Sequence, residues 1–312
     1  MIRTICGVDV SKKWLDAHIR PAGIFHRFAN DAEGIAALAC YCRAHGAELV
    51  VMEASGGYER LAFLLLSQRG QPCAIVNARS VRRFAEAMGF LEKTDKIDAA
   101  VIAHYGEVKK VKPTTPPSAA QQRLRALVTR LSQVSDDMTV NKQRLSTAED
   151  PEAVASLQAA IAFFKREERR LEGEIASLID DDPLWAKLNA TFRTLKGVAD
   201  RTVARIMAEL PEIGLLSNKA ITKLVGLAPI ANDSGKHQGR RSIRGGRAGP
   251  RGILYLIART VARFDQHFAD FYQRLQRAGK EKMVIRIALA RKLLVVLNAK
   301  ARDARAEFAN AT

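Results

Sequence analysis

Residues 5–20 read ICGVDVSKKWLDAHIR and residues 49–59 read LVVMEASGGYE, and these two stretches decide the fold. The first belongs to an apolar, β-branched run over Ile2–Val10, which resumes at Trp14–Arg20 after a polar step; past a Pro-Gly break a third run covers Gly23–Ala29. Three such runs joined by short turns predict an antiparallel meander. The second stretch contains a short buried strand, Glu48–Glu53, set between helical spacings at Asp31–His45 and Gly57–Arg69. Another strand, Pro72–Val76, precedes helices at Ala78–Met88 and Asp95–Lys110. A meander followed by alternating helices and strands makes this region an α/β domain.

Outward from that domain, Lys109–Pro117 (KKVKPTTPP) carries three prolines and no apolar periodicity, the mark of a linker. Ala119–Ala148 and Glu152–Ile179 then form two long helical patterns, broken at Glu149-Asp150-Pro151, where the proline suits a first helical turn. They predict an antiparallel helical hairpin or coiled coil, usable as a dimerisation arm, an RNA-holding arm or a plain spacer. Beyond Asp180-Asp181-Asp182-Pro183, the turn Leu195-Lys196-Gly197-Val198-Ala199 and the helical Arg201–Leu210 resemble half of a helix-hairpin-helix, whose glycine turn takes a phosphate. A tight turn between packed helices would read the same way, and Ala199 stands where a second glycine is usual. The expected division is residues 1–112, a helical hairpin at 118–182, and a mainly α region at 183–312.

The 312 residues include 50 Lys plus Arg against 33 Asp plus Glu, a formal net charge of +17. So basic a chain points to a polyanionic partner, because neutralising phosphates releases condensed counterions. No apolar run of membrane-spanning length is present, and the charges in MIRTICGVDVSKKW exclude a signal peptide, so a cytoplasmic protein with no membrane partner is expected. Cys6, Cys40, Cys42 and Cys73 form no Cys-x-x-Cys pair and have no histidine at ligand spacing, which argues against a disulfide framework or structural zinc. Cys40 and Cys42 are expected to be buried or half-buried thiols.

Chemistry concentrates in two places. Asp9 ends the first strand and Glu53 the fourth; if these strands are parallel neighbours, both acids emerge at one edge of the sheet. Asp95 and Asp98, in KTDKIDAA, stand three apart and share a helix face. Taken singly each acid is ordinary, but four carboxylates converging on one pocket repel unless cations neutralise them. Hard oxygen donors suit Mg²⁺ or Mn²⁺, two of which stabilise attacking and leaving oxygens in phosphodiester displacement. The second place is Asp233-Ser234-Gly235, in a polar loop with Lys236, His237, Arg240, Arg241, Arg244, Arg247 and Arg251 and glycines at 235, 239, 245, 246, 249 and 252. Glycine lets a backbone approach phosphate and arginine forks hold two phosphate oxygens. Such a loop either grips nucleic acid, with Ser234 and Ser242 as donors, or activates Ser234 to attack phosphorus.

GVDVSK, MEASGGYE, KTDKIDA and GLAPIANDSGKHQGRRSIRGGRAGPR, in this order, resemble the DEDD transposases of bacterial insertion sequences, the family numbered one-ten with its eleven-eleven subgroup, and the related pilin-gene invertases. The resemblance covers nearly the whole chain. It implies an RNase H-like (RuvC-like) N-terminal domain, in which strand one lies centrally beside strand four, then a coiled coil and a C-terminal transposase domain with a catalytic serine. It places the metal-holding acids on Asp9, Glu53, Asp95 and Asp98, with Mg²⁺ or Mn²⁺, and the nucleophile on Ser234. It also implies donor and target DNA, a noncoding bridge or seeker RNA that pairs with both, and a homo-oligomer, dimer or tetramer. Lys236, Arg240, Arg241, Arg244, Arg247 and Arg251 are then the expected nucleic-acid contacts. Two rival functions remain: a RuvC-like junction nuclease using metal-activated water, and a non-catalytic RNA- or DNA-binding protein.

Overall fold

The structure, a computed structural model, describes residues 3–90, 92, 94–235 and 237–311, except for the side chains of Asp95, Lys96, His237 and Gln238. The chain divides into two compact units, Met1–Pro117 and Ser118–Thr312.

The first unit is built on a five-stranded sheet of β1 (Ile5–Val10), β2 (Trp14–Arg20), β3 (Ile24–Ala29), β4 (Leu49–Glu53) and β5 (Cys73–Val76), in the order β3-β2-β1-β4-β5. β1 pairs antiparallel with β2 and parallel with β4; β2 and β3 are antiparallel, β4 and β5 parallel. A meander whose first strand is also the centre of the sheet, flanked by the fourth, is the RNase H-like arrangement.

Side chains alternate across the sheet. Cys6, Val8 and Val10 of β1 join Val50 and Met52 of β4 in one core, which α1 (Ala32–Ala44) and α2 (Glu59–Gln68) close. Ile5, Leu49 and Val51 face the opposite core, filled by Val81 and Ala85 of α3 (Ala78–Ala87) and by Val101, Ile102 and Ala103 of α4 (Asp95–Val108). β1 is buried on both faces, as befits a central strand, whereas edge strand β3 is largely exposed. Gly7 lets α4 lie directly on β1: an added Cβ there would stand 2.3 Å from Ala103 N and from Ala99 O. Helix α4 starts at Thr94, whose hydroxyl accepts from Ile97 N at 3.3 Å. All four cysteines are free; Cys6, Cys42 and Cys73 are buried, but Cys40 is exposed, correcting the expectation for that thiol. It faces outward because the buried positions of α1 are Ile35, Leu38, Ala39 and Cys42.

The second unit is almost wholly helical. Helices α5 (Ala119–Leu145) and α6 (Pro151–Asp180) form the antiparallel hairpin, with Asp150 capping the second helix and Pro151 in its first turn. Leu124, Val128, Leu131 and Val134 meet Leu171, Ile175 and Ile179, and this seam runs into one core shared with α7 (Pro183–Arg193), α8 (Asp200–Glu209), α9 (Asn218–Val225), α10 (Ala248–Phe264), α11 (Gln266–Arg277) and α12 (Lys282–Ala311). In the turn before α8, Gly197 (φ 94°) abuts Thr260 and Val261 of α10, where a Cβ would lie 3.2 Å from Val261 N. That glycine serves close packing between helices. Among the described residues, no helix is long and apolar enough to cross a membrane.

Candidate phosphoryl-transfer site

The register of the sheet brings the first acids together. Val8 is the partner of Met52 in the parallel β1/β4 ladder, so Asp9 and Glu53 occupy the next positions at the same end. Alternation puts both on the α4 side of the sheet, since Val8 and Met52 face the α1/α2 core. Helix α4 crosses β1 head to tail: Gly106 meets Ile5 and Val51, Ala99 and Ala103 meet Gly7, and the first turn with Asp95 and Asp98 therefore arrives at the Asp9 end. Asp9, Glu53 and Asp98 are half-buried; the Asp95 side chain is outside the described residues. Among the described residues, no three His, Cys, Asp or Glu side chains gather closely enough to hold a metal ion. The donor set itself fits a hard divalent cation: carboxylates only, presented at one edge of the sheet.

Four residues that sequence reasoning passed over, Asp16, Arg27, Glu59 and Asn30, shape this edge. Asp16 on β2 is the direct partner of Asp9, and Arg27 on β3 the direct partner of Asp16, so Arg27, Asp16, Asp9 and Glu53 make one row across four strands. Asp16 is 3% exposed and accepts from Arg27 Nε at 2.7 Å and Nη2 at 3.0 Å, which neutralises an otherwise costly buried charge. Glu59, at the start of α2, folds the loop behind Glu53. Its Oε2 accepts from Gly57 N at 2.8 Å, Ser55 N at 3.1 Å and Ser55 Oγ at 3.2 Å. Burial raises its pKa, but these hydrogen bonds, with one from its own backbone, outweigh that and hold it below the ordinary value. Asn30 links the two active-edge loops, its amide donating to Ser11 O at 2.9 Å and Tyr58 O at 3.2 Å. The signal for Asp16 and Arg27 was their register, visible once β1, β2 and β3 are paired; for Glu59 it was an acid six residues after Glu53 at a helix start.

Ser234 lies in the second unit on a miniature hairpin, β6 (Asp233–Ser234) and β7 (His237–Gln238), turned by Gly235 at φ 55°. Ser234 is exposed. Lys236 lies outside the described residues. Arg241 donates to Asp233 at 2.7 Å and Arg240 to Glu281 at 2.6 Å, both surface ion pairs. Arg244 is exposed, without an ion pair among the described residues. The other two arginines are engaged within the fold: Arg247 grips Glu212 through two bonds of 2.7 and 2.6 Å and the Glu209 carbonyl at 3.1 Å, while Arg251 donates to the Gly245 carbonyl. Gly246 packs backbone to backbone on Gly226, the left-handed cap of α9; a Cβ on Gly246 would stand 2.3 Å from Gly226 N. These glycines hold the base of the loop against α9, leaving the Ser234 tip projecting.

An RNase H-like unit with an acidic edge, coupled to a helical unit that presents a serine among arginines, defines the class of DNA transposases. A family profile described as "Transposase", for the DEDD transposases of IS110, matches residues 6–148, and one described as "Transposase IS116/IS110/IS902 family" matches residues 189–273. Pilin gene-inverting proteins of Moraxella lacunata and Moraxella bovis are each 26% identical to this chain, over 95% of it and 95% of their own lengths. An uncharacterised 43.6 kDa protein of insertion element IS110 from Streptomyces coelicolor is 26% identical over 63% of this chain and 46% of its own. A solved structure of Thermus thermophilus RuvC aligns with 36% of this chain and 99% of its own at 15% identity, with a TM-score of 0.26. The chain belongs to the IS110 family of transposases, enzymes acting on DNA.

Proposed function

We propose that this transposase cuts and rejoins DNA through Ser234, with Asp9, Glu53, Asp95 and Asp98 holding Mg²⁺, or Mn²⁺, against the scissile phosphate. The observation that carries the reading is the placement of Asp9 and Glu53 on one face at one end of neighbouring strands, where the first turn of α4 arrives. Bound there, the cation supplies charge stabilisation for the phosphoryl oxygens. Ser234 Oγ forms a bond to phosphorus while the bond to one strand's oxygen breaks; the proton lost by the serine ends on the released hydroxyl. A hydroxyl of the exchanging strand then attacks the phosphoserine and frees Ser234, so bond energy is conserved and no nucleotide cofactor is consumed. Arg240, Arg241 and Arg244, around the exposed hairpin, hold neighbouring phosphates as bidentate donors. Arg247 and Arg251 set the loop's base and act through its shape.

In this proposal a noncoding RNA selects donor and target by pairing, while the protein holds backbone. The enzyme works as a homo-oligomer, dimer or tetramer, in which the serine of one copy serves the acids of another. The test is trapping of a covalent protein–DNA adduct on paired donor and target duplexes with the element's flanking RNA and Mg²⁺. The parent forms it, Ser234→Ala and Asp9→Asn do not, and mixing those two variants restores it. Cleavage that persists in Ser234→Ala without adduct would replace this mechanism with water attack. No cleavage by the parent with every component present would leave only a binding role.

A further inference from the structure

A groove of about 690 Å³ opens in the second unit between α10 and the start of α12. Arg259 and Arg263 of α10 and Lys282 and Arg286 of α12 line it, together with Phe264 and Tyr272. No carboxylate lines it, and among the described residues none of the four cations makes an ion pair with an acid. Arg286 is held in place by the hydroxyl of Tyr255, to which it donates at 3.0 Å. Phe264 is 55% exposed beside the cations, and Leu256 and Met283 are 66% and 57% exposed on the same two helices. A cleft lined by cations of one sign focuses its field and draws a polyanion into it. An exposed aromatic ring among cations adds a base-stacking platform.

We infer that this groove binds single-stranded nucleic acid, with Arg259, Arg263, Lys282 and Arg286 on successive phosphates and Phe264 stacked on an unpaired base. In a duplex the bases are already stacked on one another, so the ring discriminates against it. The inference rests on the proposed strand exchange to the extent that such exchange creates unpaired segments needing to be held.

The full-length protein is assayed by fluorescence anisotropy with oligo(dT), oligo(rU) and a duplex of matched length, each about 12 nucleotides, within the range one such site spans. Arg259→Ala/Arg263→Ala flattens the dependence of log affinity on log salt for single strands by about 1.4, two contacts at about 0.7 each. Phe264→Leu weakens single-strand binding about tenfold and leaves duplex binding at the parent level. Loss on oligo(dT) alone, oligo(rU) alone, or both supports the groove and identifies the strand it holds. Parent-like single-strand binding in both variants overturns the inference, as does an equal loss on duplex. A change of oligomeric state by light scattering, with single-strand binding intact, also overturns it and makes the groove a contact between copies. Arg259→Gln/Arg263→Gln, checked by circular dichroism, serves if the alanine pair does not fold. A covalent adduct missing from the parent itself, alongside single-strand binding that depends on Arg259, Arg263 and Phe264, sinks only the proposed chemistry.

Discussion

Gly7→Ala is the sharpest perturbation of the acidic edge that touches none of its acids. The new methyl would meet Ala103 N and Ala99 O at 2.3 Å and Ala103 Cα at 2.8 Å, all backbone atoms of α4. Backbone cannot rotate away, so the helix must shift by 3.4 − 2.3 = 1.1 Å to reach ordinary contact. That movement opens the core around Ala99, Val101, Ile102 and Ala103, each at most 3% exposed. Overpacking of this kind costs typically 1–3 kcal/mol, and an encounter with backbone alone falls at the top, about 3 kcal/mol. For a unit of this size each kcal/mol lowers the melting temperature by about 4 °C, so a drop of about 12 °C is expected. Trp14 reports on this unit alone in a Trp185→Phe background, and calorimetry of the full chain should show the transition of the second unit unmoved. Because α4 carries the proposed metal ligands Asp95 and Asp98, the proposed DNA cleavage by the folded variant should fall about 100-fold, as a 1 Å misplacement of reacting groups does. A melt within about 2 °C of the parent, where 12 °C is expected, would refute the close approach of α4 and with it the arrival of Asp98 beside Asp9.

Replacing Glu59 by Gln exchanges a carboxylate that accepts three hydrogen bonds for a neutral amide and should cost about 1–3 kcal/mol by urea unfolding; a neutral result would mean the loop behind Glu53 is held otherwise. Its folded pKa is depressed, so this stabilisation is present above the ordinary carboxylate value and fades as pH falls through the lowered one. Glu168 tests the same sign in the other unit: its pKa is lowered first by Arg201 and then by Ser135, against burial. Urea midpoints of parent and Glu168→Gln should differ at neutral pH and converge as pH falls below about 4, where the unfolded carboxyl is protonated; a constant gap would remove the ion pair as cause. Gly173, mid-helix in α6 with nothing within 4 Å of an added Cβ, is the opposite of Gly7, and Gly173→Ala should stabilise by about 0.5–1 kcal/mol.

What could be read in the sequence was what local pattern controls. Apolar, β-branched runs between polar or Pro-Gly breaks marked the three strands of the meander, short buried runs marked the other two, and Glu149-Asp150-Pro151 marked the turn of the hairpin, because caps and turns act within a few residues. The pairing of Asp9 with Glu53 was conditional on strand order, a nonlocal property supplied only by the fold-level resemblance. Asp16 and Arg27 escaped notice for the same reason: each looks like a solvated strand residue until β1, β2 and β3 are set in register, when Asp16 proves nearly inaccessible. The glycines of the arginine-rich loop were legible as glycines needed for close approach, but not what they approach; Gly246 meets the backbone of Gly226. Likewise the four groove cations are shared between two helices some twenty residues apart, so no window of sequence displays them together.

The two halves of the proposed chemistry are anchored very differently, and that contrast has a mechanical consequence. Asp9 and Glu53 sit on central, parallel-paired strands whose neighbours are buried, so neither can move without breaking the sheet. Ser234 rides on two-residue strands whose visible restraints include the exposed pair of Arg241 with Asp233. An exposed pair contributes about 0–1 kcal/mol, and a phosphate offers the same guanidinium an equivalent bidentate partner, so incoming nucleic acid exchanges it at little cost. Gly246 on Gly226 and Arg247 on Glu212 fix the base of that loop, while Ser234 stands exposed beyond it. In the proposed chemistry the rigid acidic edge is what lets the phosphate be held in one geometry twice, while the strand delivered to it changes between the two steps.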